Sequence, residues 1–98
     1  MYKSISIDEL YQRENDDQMM ILDVREADEF KNGHIPSAIS MPLSHLGNHF
    51  TELKQTDKYY VICHSGARSE AACNFLSQQG LEVINVQNGM MFWKGEVI

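Results

Sequence analysis

The chain has 98 residues, 43% hydrophobic and 22% charged, with six glycines and two prolines. That composition suits one globular domain with a modest core and excludes a disordered or fibrous chain. Eight Lys and Arg against fourteen Asp and Glu leave a net charge of −6, so neither nucleic acid nor an anionic membrane surface is expected as a partner.

The amino-terminal MYKSISIDELYQ lacks the apolar segment and cleavage site of a signal peptide, and no run is long enough to span a bilayer, so a cytoplasmic location is expected. Cys63 and Cys73 are the two cysteines. They form no CxxC pair and no zinc-ligand spacing, which fits a reducing compartment and predicts no metal site; no organic cofactor is expected.

In chain order, Ser6-Ile7-Asp8-Glu9 matches a capping box, and Ile7, Leu10 and Tyr11 follow at helical spacing, predicting a first helix from about Ile7 to Glu14. Met19 to Val24 is a short apolar run that suits a strand covered on both faces, with polar Asp23 near its end. Glu26 to Lys31 reads as a short helix stopped at Asn32-Gly33, and Gly33-His34-Ile35-Pro36 as a loop. Ala38 to Met41 reads as another short strand. Leu43, Leu46, Phe50 and Leu53 then form a helical stripe despite Gly47.

Tyr59 to Cys63 is aromatic and β-branched and too short for a typical helix, so it is read as a strand. Ser69 to Gln79 follows as a helix closed by Gly80, with Ala72, Cys73 and Leu76 on one face. Glu82 to Val86 is read as the last strand, and Asn88-Gly89 as a turn into one helical turn over Met90 to Lys94. The cluster Met90-Met91-Phe92-Trp93 reads as core and pocket rim. Strands alternating with helices predict a single α/β domain over residues 1–98 with a mainly parallel sheet.

In such a sheet ligands gather outside the carboxyl ends of the strands, where Cys63 falls. If the loop after it curls so that the backbone N–H groups of residues 64 to 69 point inward, they form an anion nest backed by the following helix. Gly66 provides the φ freedom, while Ser65 and Ala67 are small enough not to crowd the centre. A thiolate is then favoured over the thiol, and Cys63 becomes nucleophilic at neutral pH. Arg68 at a helix amino terminus stands against the macrodipole unless an anion visits, which marks it as a binder of an oxyanion. His64 is read equally as a solvated loop residue and as a contributor of charge or a proton. Cys73 is assigned to the core, with a resolving thiol as the alternative. Asp23 is read as a structural cap or a partner of Arg25.

Leu22-Asp23-Val24-Arg25-Glu26, Glu29-Phe30, Gly33-His34-Ile35-Pro36-Ser37-Ala38, Cys63-His64-Ser65-Gly66-Ala67-Arg68-Ser69 and Asn88-Gly89-Met90 with Trp93 occur in one order along almost the whole chain. In this the chain resembles a single-domain rhodanese. The resemblance implies a three-layer rhodanese-like α/β domain with a five-stranded, mostly parallel sheet flanked by helices. It also implies a sulfurtransferase of the thiosulfate:cyanide type, with Cys63 as the catalytic persulfide carrier. His64, Ser65, Gly66, Ala67, Arg68 and Ser69 then cradle the substrate, and Arg68 binds an anionic donor such as thiosulfate. Asp23, Arg25 and His34 are structural by the same resemblance. Asn88 stands where the family usually has a second glycine, and asparagine tolerates the left-handed conformation.

The expected partners are a small anionic sulfur donor and a thiol or cyanide acceptor, with a protein as a further possible acceptor; a monomer is expected. Two other readings remain open. One is a non-catalytic persulfide carrier serving a protein partner, with the same chemistry at Cys63. The other is a cysteine-dependent phosphatase, disfavoured because four residues separate Cys63 from Arg68 where those loops have five.

Overall fold

The computed structural model describes residues 2–13 and 19–98. Its sheet is built around the two apolar runs that the sequence marks most clearly. β1 (Lys3–Ser6), β2 (Met20–Asp23), β3 (Ile39–Ser40), β4 (Lys58–Ile62) and β5 (Glu82–Gln87) lie in the order β1-β5-β4-β2-β3. All four pairings are parallel, where the sequence predicted a mainly parallel sheet. β4 and β5 are central and therefore apolar on both faces.

Period-two alternation divides the core into two layers. Tyr59, Val61, Leu22, Val24 and Val83 face Ala72, Cys73 and Leu76 of α4 (Ala67–Gln78). Tyr60, Ile62, Ile21, Ile84 and Val86 face Ile7 and Leu10 of α1 (Ile7–Gln12) on the other side. Each fully buried Leu or Ile contributes roughly 1.5–3 kcal/mol relative to an exposed one, so the helices are held chiefly by these two stripes.

α1 starts where expected: Ser6 has extended backbone and its hydroxyl accepts from the Glu9 N–H at 3.1 Å. The reciprocal half of the capping box is not made, because the Glu9 carboxylate pairs with Arg13 at 2.6 Å instead. The helix ends at Gln12, before the predicted Glu14, and Glu14 itself lies outside the described residues. The strand β1 was not anticipated. Lys3-Ser4-Ile5-Ser6 is a short, polar edge strand that takes its conformation from pairing with β5 rather than from its own pattern.

α2 (Ala27–Lys31) is capped by Glu26, whose box partner is Glu29. The stripe from Leu43 to Leu53 is not one helix but a 3-10 turn over Leu43–His45, a single α-turn, α3 (Leu46–His49), and a second 3-10 turn over Phe50–Glu52. The stripe still works: Leu46 is buried, and Leu43, Phe50 and Leu53 pack against the same core. α4 begins at Ala67, two residues before the predicted Ser69. The last turn, Met90–Phe92, is 3-10, and Met91 and Phe92 are each 54% exposed, so they do not belong to the core as the sequence suggested.

Candidate functional site at the β4–α4 loop

Parallel β4 and β5 deliver their carboxyl ends to the same edge of the sheet, and Cys63 follows β4 there directly. Its side chain is 1% exposed. The chain then curls through His64 and Ser65 to Gly66, which caps α4 with φ at 112°. Only a glycine adopts that value without strain, and the curl swings the Gly66 N–H to 3.0 Å from Cys63 Sγ.

A second turn fixes which way the loop's dipoles face. The Met90 N–H donates to the Cys63 carbonyl at 2.8 Å, and the Met91 N–H to the His64 carbonyl at 2.9 Å. With both carbonyls held outward, the amides between them and the helix are free for the sulfur. Gly89 allows this approach: a Cβ there would lie 2.2 Å from the Cys63 carbonyl oxygen. Asn88 before it has φ at 70°, the left-handed conformation that asparagine was expected to tolerate.

Burial alone would push the Cys63 thiol up. Opposing it are the polar Ser69 side chain and the backbone N–H groups of Ser69, Gly66 and Ser65, of which the Gly66 N–H makes the hydrogen bond at 3.0 Å. Together they outweigh burial, and the pKa falls below the ordinary thiol value. Of the six amides expected to face the sulfur, those of Ser65, Gly66 and Ser69 act on it. His64, Ser65 and Ala67 turn their side chains to solvent.

Four polar or charged residues are buried among the described residues, and they form two pairs. Asp23 accepts from the Arg25 guanidinium at 2.8 Å and from the Arg25 backbone N–H at 3.0 Å, and Arg25 also donates to the Gly33 carbonyl at 2.9 Å. This is the structural pairing read from the sequence. The other pair is Ser69 and Asn85, whose Oγ and Oδ1 are 2.6 Å apart. Asn85 sits on β5 beside Val61 of β4 and faces α4, and its Oδ1 accepts from the Ser69 hydroxyl, which ties the first turn of α4 to β5 beside the cysteine loop. Sequence reasoning missed it, although one amide side chain inside Val83-Ile84-Asn85-Val86 was a signal that something polar lies opposite.

Arg68 does not stand alone at the helix start: the Glu29 carboxylate accepts from it at both ends, at 2.5 and 2.9 Å. Each side chain is 34% exposed. Glu29 is held by this contact near a pKa of about 2. The Arg68 guanidinium, whose pKa rises chiefly through the same contact, is also within electrostatic reach of Cys63. His34 stacks on Phe30 and its Nδ1 lies 2.8 Å from the Phe30 carbonyl, away from these groups' hydrogen bonds. Cys73 is fully buried without such donors, and burial pushes its thiol up to about 12.

The strand, the buried cysteine, the curl and the helix all lie within residues 6–96, which match the model of the rhodanese-like domain. The chain belongs to the rhodanese-like domain family. It is 42% identical to the candidate sulfur carrier protein YrkF of Bacillus subtilis, over 94% of this chain and 51% of YrkF, so it spans about half the length of that relative. With the candidate sulfurtransferase YtwF of the same organism it shares 37% identity, over 85% of this chain and 81% of YtwF. The crystal structure of a rhodanese-related protein from Thermoplasma volcanium superposes with a TM-score of 0.89 at 39% identity, covering 99% of this chain and 98% of that one. This rhodanese-like chain thus falls among sulfurtransferases and sulfur carriers.

Proposed function

We propose that the protein is a sulfurtransferase that carries sulfane sulfur as a persulfide on Cys63. The observation that carries this reading is the set of backbone N–H groups around a buried sulfur, led by the Gly66 N–H at 3.0 Å. Those donors stabilise negative charge on a sulfur, and the same charge lies on the outer sulfur once a persulfide forms.

In the first step the Cys63 thiolate attacks the outer sulfur of a donor. With thiosulfate, the new bond is Cys63 S–S, the broken bond is S–S of the donor, and sulfite leaves with its electron pair. In the second step a nucleophile, cyanide or a thiol, takes the outer sulfur and returns the thiolate. The donors around Cys63 favour the thiolate over the thiol, which raises the share of the nucleophilic form. Ser65, Gly66 and Ser69 hold the charge through both steps, His64 and Ala67 line the mouth, and Arg68 engages the donor when Glu29 releases it.

Intact-mass measurement after incubation with thiosulfate tests the reading. One added sulfur atom is expected on the native chain and none on Cys63→Ser; sulfur retained by that variant would overturn the assignment of Cys63. The sulfur-carrier name of YrkF favours a second reading, a dedicated carrier that loads sulfur and passes it to a protein. A cyanide assay separates the two: steady turnover supports the enzyme, and loading without turnover supports the carrier. The phosphatase reading has less support, since four residues rather than five separate Cys63 from Arg68.

A further inference from the structure

Glu29 belongs to α2, on the opposite side of the site from the cysteine loop in sequence, yet it takes both ends of the loop arginine. It is not a casual surface partner. Its Oε1 also accepts from the Glu26 N–H at 3.1 Å, and Glu26 in turn accepts from the Ser44 hydroxyl at 2.6 Å. The carboxylate is therefore oriented by the helix cap before Arg68 reaches it.

Two consequences follow for anything approaching Cys63. The positive charge of Arg68 is cancelled by a fixed carboxylate, and its planar fork is filled by the ligand it suits best. The open cleft on the other flank of the loop, about 460 Å³, offers no replacement: Ser65, Gly66, Asn85, Gln87 and Asn88 line it, and among the described residues its charged lining is Glu70 alone. A free dianion has to displace Glu29 and then sit near uncompensated carboxylates, on a chain whose net charge is −6. A donor whose outer sulfur is carried on the sulfur of an organic thiol has no oxyanion to place and meets no such barrier.

We propose that Glu29 is a specificity-determining residue that turns the Cys63 site away from small oxyanion donors and toward organic persulfides, R–S–S–H. The proposal rests on the persulfide reading of Cys63. The step is balanced: the thiolate of Cys63 bonds to the outer sulfur, the donor's S–S bond breaks, R–S⁻ leaves and takes up the donor's proton as R–SH, and Cys63 is left as the persulfide anion. Discrimination of this kind comes from a repulsive element against the wrong ligand as much as from attraction to the right one.

The test is a comparison of single-turnover loading rates, read by intact mass, for thiosulfate, the persulfide of 2-mercaptoethanol, and a persulfidated cysteine peptide. In the native protein both persulfides should load faster than thiosulfate, and the ratio between the two assigns the source as a small thiol or a polypeptide. Glu29→Gln keeps an oxygen to accept from Glu26 and removes the charge; the thiosulfate-to-persulfide rate ratio should rise at least about tenfold. Adding Arg68→Ala to Glu29→Gln should abolish that rise. An unchanged ratio, or a rise that persists without Arg68, would overturn the role of Glu29. Failure of the native protein to load sulfur from any of the three donors would instead overturn the persulfide reading itself.

Discussion

Cys63 and Cys73 lie in the same core layer, 1% and 0% exposed, and burial acts on both in the same direction. Their chemistry nevertheless diverges: Cys73 is pushed up to about 12, while Cys63 falls below the ordinary thiol value. What separates them is ten residues of chain and one change of backbone direction. Cys73 sits within α4, where the amides are already spent on helical bonds, whereas Cys63 sits where a helix begins and its first amides are free. Burial makes a sulfur inert unless the backbone around it has unspent donors.

The contrast is most directly checked by alkylation. With Cys73 near 12 and Cys63 below 9.0, the thiolate fractions at neutral pH differ by more than about 10³. Cys63 should react with iodoacetamide at least ~100-fold faster than Cys73. Peptide mass mapping over time measures both rates, and equal rates would erase the distinction.

Gly89→Ala should break it from the loop side. A Cβ 2.2 Å from the Cys63 carbonyl has to push the two turns apart, with an expected stability loss of roughly 2–4 kcal/mol by urea denaturation. In the fraction that folds, the carbonyls are no longer held outward, and Cys63 should lose most of its reactive advantage over Cys73. Retention of both stability and reactivity would show that the Met90 and Met91 bonds are incidental.

Ser69→Ala sharpens the comparison by removing one donor and leaving the curl intact. The Ser69 side chain is among the groups that lower the Cys63 pKa, and its loss should move the midpoint of Cys63 alkylation up by about one pH unit, the scale of one hydrogen bond to a charged group. An unmoved midpoint would assign the shift to the amides alone.

These positions differ in how far the sequence revealed them. The curl was legible because its parts are contiguous: an apolar strand, Cys63, Gly66 and a helix with an apolar face within about twenty residues. The Glu29–Arg68 contact was not, because its halves are separated by 39 positions and nothing local tells a glutamate in a capping box that a second partner will come. β1 escaped for a related reason, since an edge strand of four residues takes its identity from β5. Gly89 was read as a turn residue, but the need for a missing Cβ arises only when the Cys63 carbonyl arrives beside it.

The smallest effect expected concerns acid. The Glu29 carboxyl titrates near 2 in the fold against an ordinary 4.5, so its stabilising contribution is complete above 4.5 and is lost as pH falls toward 2. Both side chains are a third exposed, and solvent screening limits the contribution to less than about 1 kcal/mol. The urea midpoints of native protein and Glu29→Gln should therefore converge as pH falls from about 4.5 toward 2, by roughly that amount. A gap that stays constant through this range would place the stabilisation elsewhere.

The short helix α2 hangs between two anchors that have no contact with sulfur: Arg25 grips the Gly33 carbonyl beyond its end, and Ser44 grips Glu26 at its start. The bearing of Glu29 is thus inherited from the outer margin of the sheet. Evolutionary drift at that margin would retune what the pocket accepts while every letter of the cysteine loop stays the same, so relatives with identical loops need not share a diet.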